Sequence, residues 1–102
     1  MYVGMFTQGA TVRFLHQSRN GSNVPTDADT APTYRVYELP SETPLTTGTS
    51  AAFDASNTDG VYLVSFTAAG GSGYDKGTTY TVRVLETVSS TQHAATYTFT
   101  VV

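Results

Sequence analysis

The chain has no cysteine, no tryptophan and a single lysine, Lys76, and it holds no apolar run of membrane-spanning length. Without cysteine there is no disulfide staple and no thiolate metal site, so stability rests on packing alone. Charged residues make up 13% of the 102 positions and the formal net charge is -3. Such a thin charged surface is expected to be covered in part by partners. The four arginines (Arg13, Arg19, Arg35, Arg83) are scattered along the sequence and leave no basic stripe, so nucleic acid is not an expected partner. Met1 to Phe6 lacks the basic leader and the longer apolar stretch of a signal peptide. The expectation is a product that stays in the compartment where it is made and has no membrane partner.

What is present is strand chemistry. Thr, Val and Tyr are enriched, and branching at Cβ and flat rings fit a pleated sheet. No segment keeps a helical period. One domain over residues 1–102 is expected, burying roughly two-thirds of its unfolded surface. Tyr2 to Thr7 reads as a first edge strand bent at Gly4, and Thr11 to Gln17 as a second with Val12 and Phe14 on one face. Ser18 to Ala31 is a long polar connection, either functional or mobile. Thr33 to Leu39 is the next strand, closed by Pro40, and Pro44 to Phe53 a weak one interrupted at Gly48. Val61 to Thr67 alternates cleanly, Ala68 to Gly77 is a Gly-rich connection with a flexible tip, and Thr79 to Val88 pairs with Ala94 to Val101 across a turn at Ser89 to Gln92. About seven strands with turns every 8–12 residues point to an all-β, antiparallel sandwich.

Two resemblances refine this reading. Lys76-Gly77-Thr78-Thr79-Tyr80-Thr81-Val82-Arg83-Val84 resembles the Gly-Thr-x-Tyr-x-Val-x-Val signature at the sixth strand of fibronectin type III and related immunoglobulin-like domains. The resemblance implies a single immunoglobulin-like β-sandwich in which Gly77 and Tyr80 form a structural corner, the Tyr80 hydroxyl bonding back to upstream backbone. The chain departs from antibody-type domains in lacking tryptophan and the cysteine pair, and Lys76 stands where that family usually has Pro. Met-Tyr-Val-Gly-x-Phe at the start, Gly-x-Thr-Val-x-Phe from Gly9 to Phe14 and the Thr-rich strands resemble small β-sandwich virion proteins of tailed bacteriophages. That resemblance implies a virion part made in the host cytoplasm, contacting a major capsid or connector protein and copies of itself.

No catalytic constellation emerges, so no enzyme activity and no cofactor is expected. His16 and His93 with Asp27, Asp29, Asp54 or Asp59 sit at no metal-ligand spacing; His16 is expected to end a strand at the rim and His93 to flank a turn. A Gly-x-Ser-x-Gly elbow is missing, and Glu38, Glu42 and Glu86 are not placed as a glycosidase pair. Asp54 to Gly60 is oxygen-rich like a calcium loop, but its glycine falls one place late and Ser65 stands where the bidentate glutamate belongs. Gly70-Gly71-Ser72-Gly73 lacks the lysine and helix of a phosphate cradle, and Asn20-Gly21-Ser22 reads as a turn.

The feature that points to function is apolar residues in the outward phase of strands: Leu15, Tyr37, Leu39, Val61, Leu63 and Leu85. With the terminal segment Tyr2, Val3, Met5 and Phe6 they make the candidate protein interface. The expected function is a non-enzymatic structural protein of a bacteriophage virion, a head decoration or cement protein or a connector or fibre-base subunit. One alternative is a carbohydrate-binding or adhesion module using Ser18 to Ala31, Ser89 to His93 and Tyr74, with Tyr37 as a further aromatic. Another is a small protease inhibitor presenting loops.

Overall fold

The computed structural model describes residues 1–53 and 59–102. Two sheets face each other. The larger has the order β1-β8-β7-β3-β4, from Tyr2–Phe6 (β1), Thr91–Val101 (β8), Thr79–Val88 (β7), Thr33–Tyr37 (β3) and Thr46–Thr49 (β4). The smaller has the order β2-β6-β5, from Thr11–Gln17, Val61–Thr67 and Ala51–Ala52. The pairs are antiparallel except that β1 runs parallel to β8. The chain is thus an all-β sandwich, with eight strands among the described residues.

Alternation along each strand sends one set of side chains into the space between the sheets. Val12, Val36, Val64, Val82, Val84 and Val101 are fully buried there. Phe99 sits at the centre, with ring centroids of Tyr80 at 5.5 Å, Phe66 at 5.6 Å and Phe6 at 6.1 Å. Rings and valines share the same inward rows, Tyr80 with Val82 and Val84 on β7 and Phe66 with Val64 on β6, and the flat rings supply much of the area buried in the core.

Three connections differ from expectation, each for a local reason. Pro44 to Phe53 is not one interrupted strand: β4 belongs to the larger sheet and β5 to the smaller. The crossing is made at buried Ser50, whose N–H and hydroxyl both donate to the Pro32 carbonyl oxygen at 2.8 Å, satisfying the backbone where the ladder stops. The hairpin between β7 and β8 turns on only two residues, Ser89 and Ser90, both left-handed at φ 49° and 66°. The Asp29 carboxylate offsets that conformation by accepting from the Ser89 N–H at 3.0 Å and the Ser90 N–H at 2.9 Å. Finally, Gly70–Ser72 forms a single 3₁₀ turn rather than a loose tip, closed by Gly73 at φ 96°.

The long connection after β2 is tied down along its length. Arg19 bridges Pro25, the Asn20 side chain accepts from Ser22 and Val24 N–H, and Asp27 Oδ1 accepts from the Gly60 N–H at 2.6 Å. Its acidic residues serve the backbone, which explains a stable loop of this length without secondary structure.

The corner at Tyr80 has the geometry that the resemblance implies. Its hydroxyl donates to the Gly73 carbonyl at 3.0 Å and accepts from the Asp75 N–H at 2.5 Å, while Gly77 takes φ 84° and its N–H donates to the Val101 carbonyl.

Candidate functional site

The outward side chains of the smaller sheet form a short apolar row. Register places Leu15 opposite Leu63 and Leu63 opposite Ala51, so three strands contribute to one line across the face. One step along, Gln17 faces Val61, and the Phe53 N–H donates to the Val61 carbonyl, which continues the β5 pairing and sets Phe53 in phase with Ala51. Leu15 is 48% exposed and Phe53 56%, while Val61 and Leu63 are half-buried by their neighbours. Polar pairs, Arg13 with Ser65 and Thr11 with Thr67, occupy the other end of the same face. Three of the predicted interface residues, Leu15, Val61 and Leu63, therefore meet. Phe53 was not among them, because it lies beyond the weak strand and its phase depends on the crossing at Ser50.

The remaining candidates fall elsewhere. In β1 the register shifts between Tyr2 and Gly4, and Gly4 adopts φ 124°. This bulge turns Val3 and Phe6 toward the core, while Tyr2 (54%) and Met5 (68%) stay exposed. The strand is held at its start by the terminal ammonium, which donates to the Thr96 carbonyl at 2.9 Å. Tyr37, Leu39 and Leu85 lie on the outer side of the larger sheet, away from the Leu15 row. Tyr37 and Leu39 line a groove of about 590 Å³ there, together with Thr81, Arg83 and Thr96.

A polar cluster is buried between the sheets at one end. His16 is not at a rim: it is 3% exposed, in the inward phase after Val12 and Phe14. With its proton on Nε2, the ring donates to Glu86 Oε2 at 2.9 Å and accepts at Nδ1 from the Tyr97 hydroxyl at 2.6 Å. The Ser18 hydroxyl also donates to Glu86 Oε2. His93 faces Glu86 across the β7–β8 pair, and its Nε2 is buried without a hydrogen-bond partner among the described residues. Burial pushes the Tyr97 hydroxyl above the usual tyrosine range, and the nearby Glu86 carboxylate adds to the effect. A serine nucleophile needs a base on its hydroxyl. Here Ser18 binds the carboxylate directly and the imidazole is occupied on both sides, so the cluster is built as a closed hydrogen-bond network. The signal for it was the phase of Glu86, which continues Tyr80, Val82 and Val84 on the core side of β7.

Among the described residues, no group of three or more His, Asp or Glu side chains is placed to hold a metal ion. Of the oxygen-rich stretch from Asp54 to Gly60, positions 54–58 lie outside the described residues. Tyr74, offered above as a loop aromatic for sugar stacking, is fully buried, and its hydroxyl bonds the Thr46 hydroxyl at 2.5 Å. Comparison with protein-family models, curated proteins and solved structures finds no match for this chain.

Proposed function

We propose that this chain is a non-enzymatic structural subunit that binds other proteins through the outer face of its smaller sheet. The observation that carries the reading is the row Leu15, Leu63 and Ala51 with Val61 and Phe53 beside it. An apolar cluster drawn from three strands, on a domain poor in charge, is surface better buried than hydrated. Tyr2 and Met5 on the β1 edge supply a second contact, where an incoming chain adds main-chain hydrogen bonds.

The finer assignment is an immunoglobulin-like sandwich, supported by the strand order of the two sheets and by the double hydrogen bond at Tyr80. The setting is a bacteriophage virion, supported by the resemblance of the opening motifs and the Thr-rich strands. There the subunit decorates the head or joins the connector, and symmetry multiplies a modest contact into firm attachment. The test is cosedimentation of the purified protein with capsid or connector assemblies encoded beside it: saturable binding supports the reading, and none at micromolar protein refutes it.

A further inference from the structure

The outer face of the larger sheet carries a feature that protein binding by the smaller sheet does not use. Arg35 on β3 lies directly opposite Arg83 on β7, and both are exposed. Two of the five basic residues of an acidic chain thus stand side by side, with Cβ atoms about 4.5–5.5 Å apart, an arrangement that weakens the sheet by like-charge repulsion. Neither has a carboxylate within ion-pair distance among the described residues, where the single such contact is His16 with Glu86. Both strands are interior to the sheet, so the pair is held on a rigid lattice rather than on a loop.

Hollows flank the pair. The groove of about 590 Å³ opens on the Arg83 side and a smaller one of about 340 Å³ on the Arg35 side. The first is of a size that holds a small ligand. Tyr37 follows two residues after Arg35 on the same face and presents ring surface to that groove. Threonine hydroxyls surround the pair, with Thr47 opposite Arg35 and Thr96 opposite Arg83.

We propose that this face binds an acidic saccharide, its carboxylate or sulfate oxygens held by the Arg35 and Arg83 guanidinium groups and a ring lying along Tyr37. A guanidinium fork matches either oxyanion with two parallel N–H bonds. Threonine hydroxyls on the strands around the pair offer hydrogen bonds to a ligand rich in hydroxyls, and Tyr37, Leu39 and Pro40 give the groove an apolar wall that suits the flat face of a sugar ring. Glu42 also lines the groove and opposes an anion, so it sets the affinity lower than the arginines alone would.

The test is titration calorimetry at low ionic strength with four probes: an oligogalacturonide, a carrageenan tetrasaccharide that carries sulfate and no carboxylate, uncharged maltotetraose and a poly-glutamate peptide. The acidic saccharides are expected to bind and maltotetraose is not; preference for the first or second identifies the oxyanion as carboxylate or sulfate. Arg35→Gln and Arg83→Gln each weaken binding about tenfold or more, and Glu42→Gln strengthens it several-fold, as expected for charge-assisted contacts. Circular dichroism confirms that the variants stay folded. The proposal is overturned if neither acidic saccharide binds at millimolar concentration, if maltotetraose binds equally, if Arg83→Gln changes nothing, or if poly-glutamate binds while both saccharides fail, which makes the face a site for an acidic protein.

Discussion

The Tyr80 hydroxyl and the Gly73 carbonyl lie 3.0 Å apart, and that bond joins a core ring packed on Tyr74 and Phe99 to the turn seven residues upstream. The same oxygen accepts from Asp75, so one side chain holds two backbone groups of a Gly-rich connection. Tyr80→Phe keeps the ring and removes both bonds. The expected loss is about 1–3 kcal/mol, because the Asp75 and Gly73 groups lose their partner. Urea unfolding monitored by circular dichroism reads it as a lower midpoint with an unchanged slope.

The buried network around Glu86 predicts an order among substitutions. Glu86→Ala strands the Ser18 hydroxyl and His16 Nε2 inside the sandwich and is expected to cost about 1–3 kcal/mol for each buried donor left without a partner. Glu86→Gln retains an acceptor oxygen and the volume, and costs less. Thermal melts of the two variants against the parent check the order.

Gly60 predicts a backbone effect. It sits at φ +73°, and a Cβ there would meet the Ser18 carbonyl oxygen at 2.5 Å and the Thr26 carbonyl oxygen at 2.8 Å. Both obstacles are main chain and cannot swing aside. Gly60→Ala therefore combines left-handed strain with displacement of the loop that Asp27 anchors. A loss of at least about 1–3 kcal/mol is expected, measurable by denaturant unfolding.

Alkaline pH is expected to unfold the domain. Burial raises the hydroxyls of Tyr34, Tyr74 and Tyr97 above the ordinary tyrosine value of 10.0. The unfolded chain then loses these protons first as pH rises, so the stability they contribute is complete below about pH 10 and is lost from there up through their raised folded values. Unfolding free energy measured at stepped pH checks this: a fall beginning near pH 10 is expected, and a flat profile to pH 12 contradicts it.

The strand phases and the Tyr80 corner were legible in the sequence because each is a local pattern, of period two in one case and of a short signature in the other. Partnerships between distant strands were not. Leu15 and Leu63 both read as outward, but only the β2–β6 register shows that they are neighbours, whereas Tyr37 and Leu85 share their phase and lie on the opposite sheet. Arg35 and Arg83 looked scattered for the same reason. His16 misled because it was expected to end its strand at the rim, while the chain continues inward past it to buried Ser18, whose N–H donates to the Gly60 carbonyl. Side-chain phase is written in adjacent residues; register is settled by the packing of the whole sandwich.

The central claim, that the outer face of the smaller sheet seats against other proteins, is tested most directly by Leu63→Asp. Leu63 lies between Leu15 and Ala51, so a carboxylate there breaks the row at its middle. Thr67→Asp, on the same strand and face but beyond the row, is the control. Size-exclusion chromatography with light scattering, and cosedimentation with capsid or connector assemblies, are run on both variants and the parent. The account predicts that Leu63→Asp weakens self-association or attachment about tenfold or more, as losing a buried leucine implies, while Thr67→Asp and the fold are unchanged. Equal attachment or assembly by Leu63→Asp and the parent would contradict it.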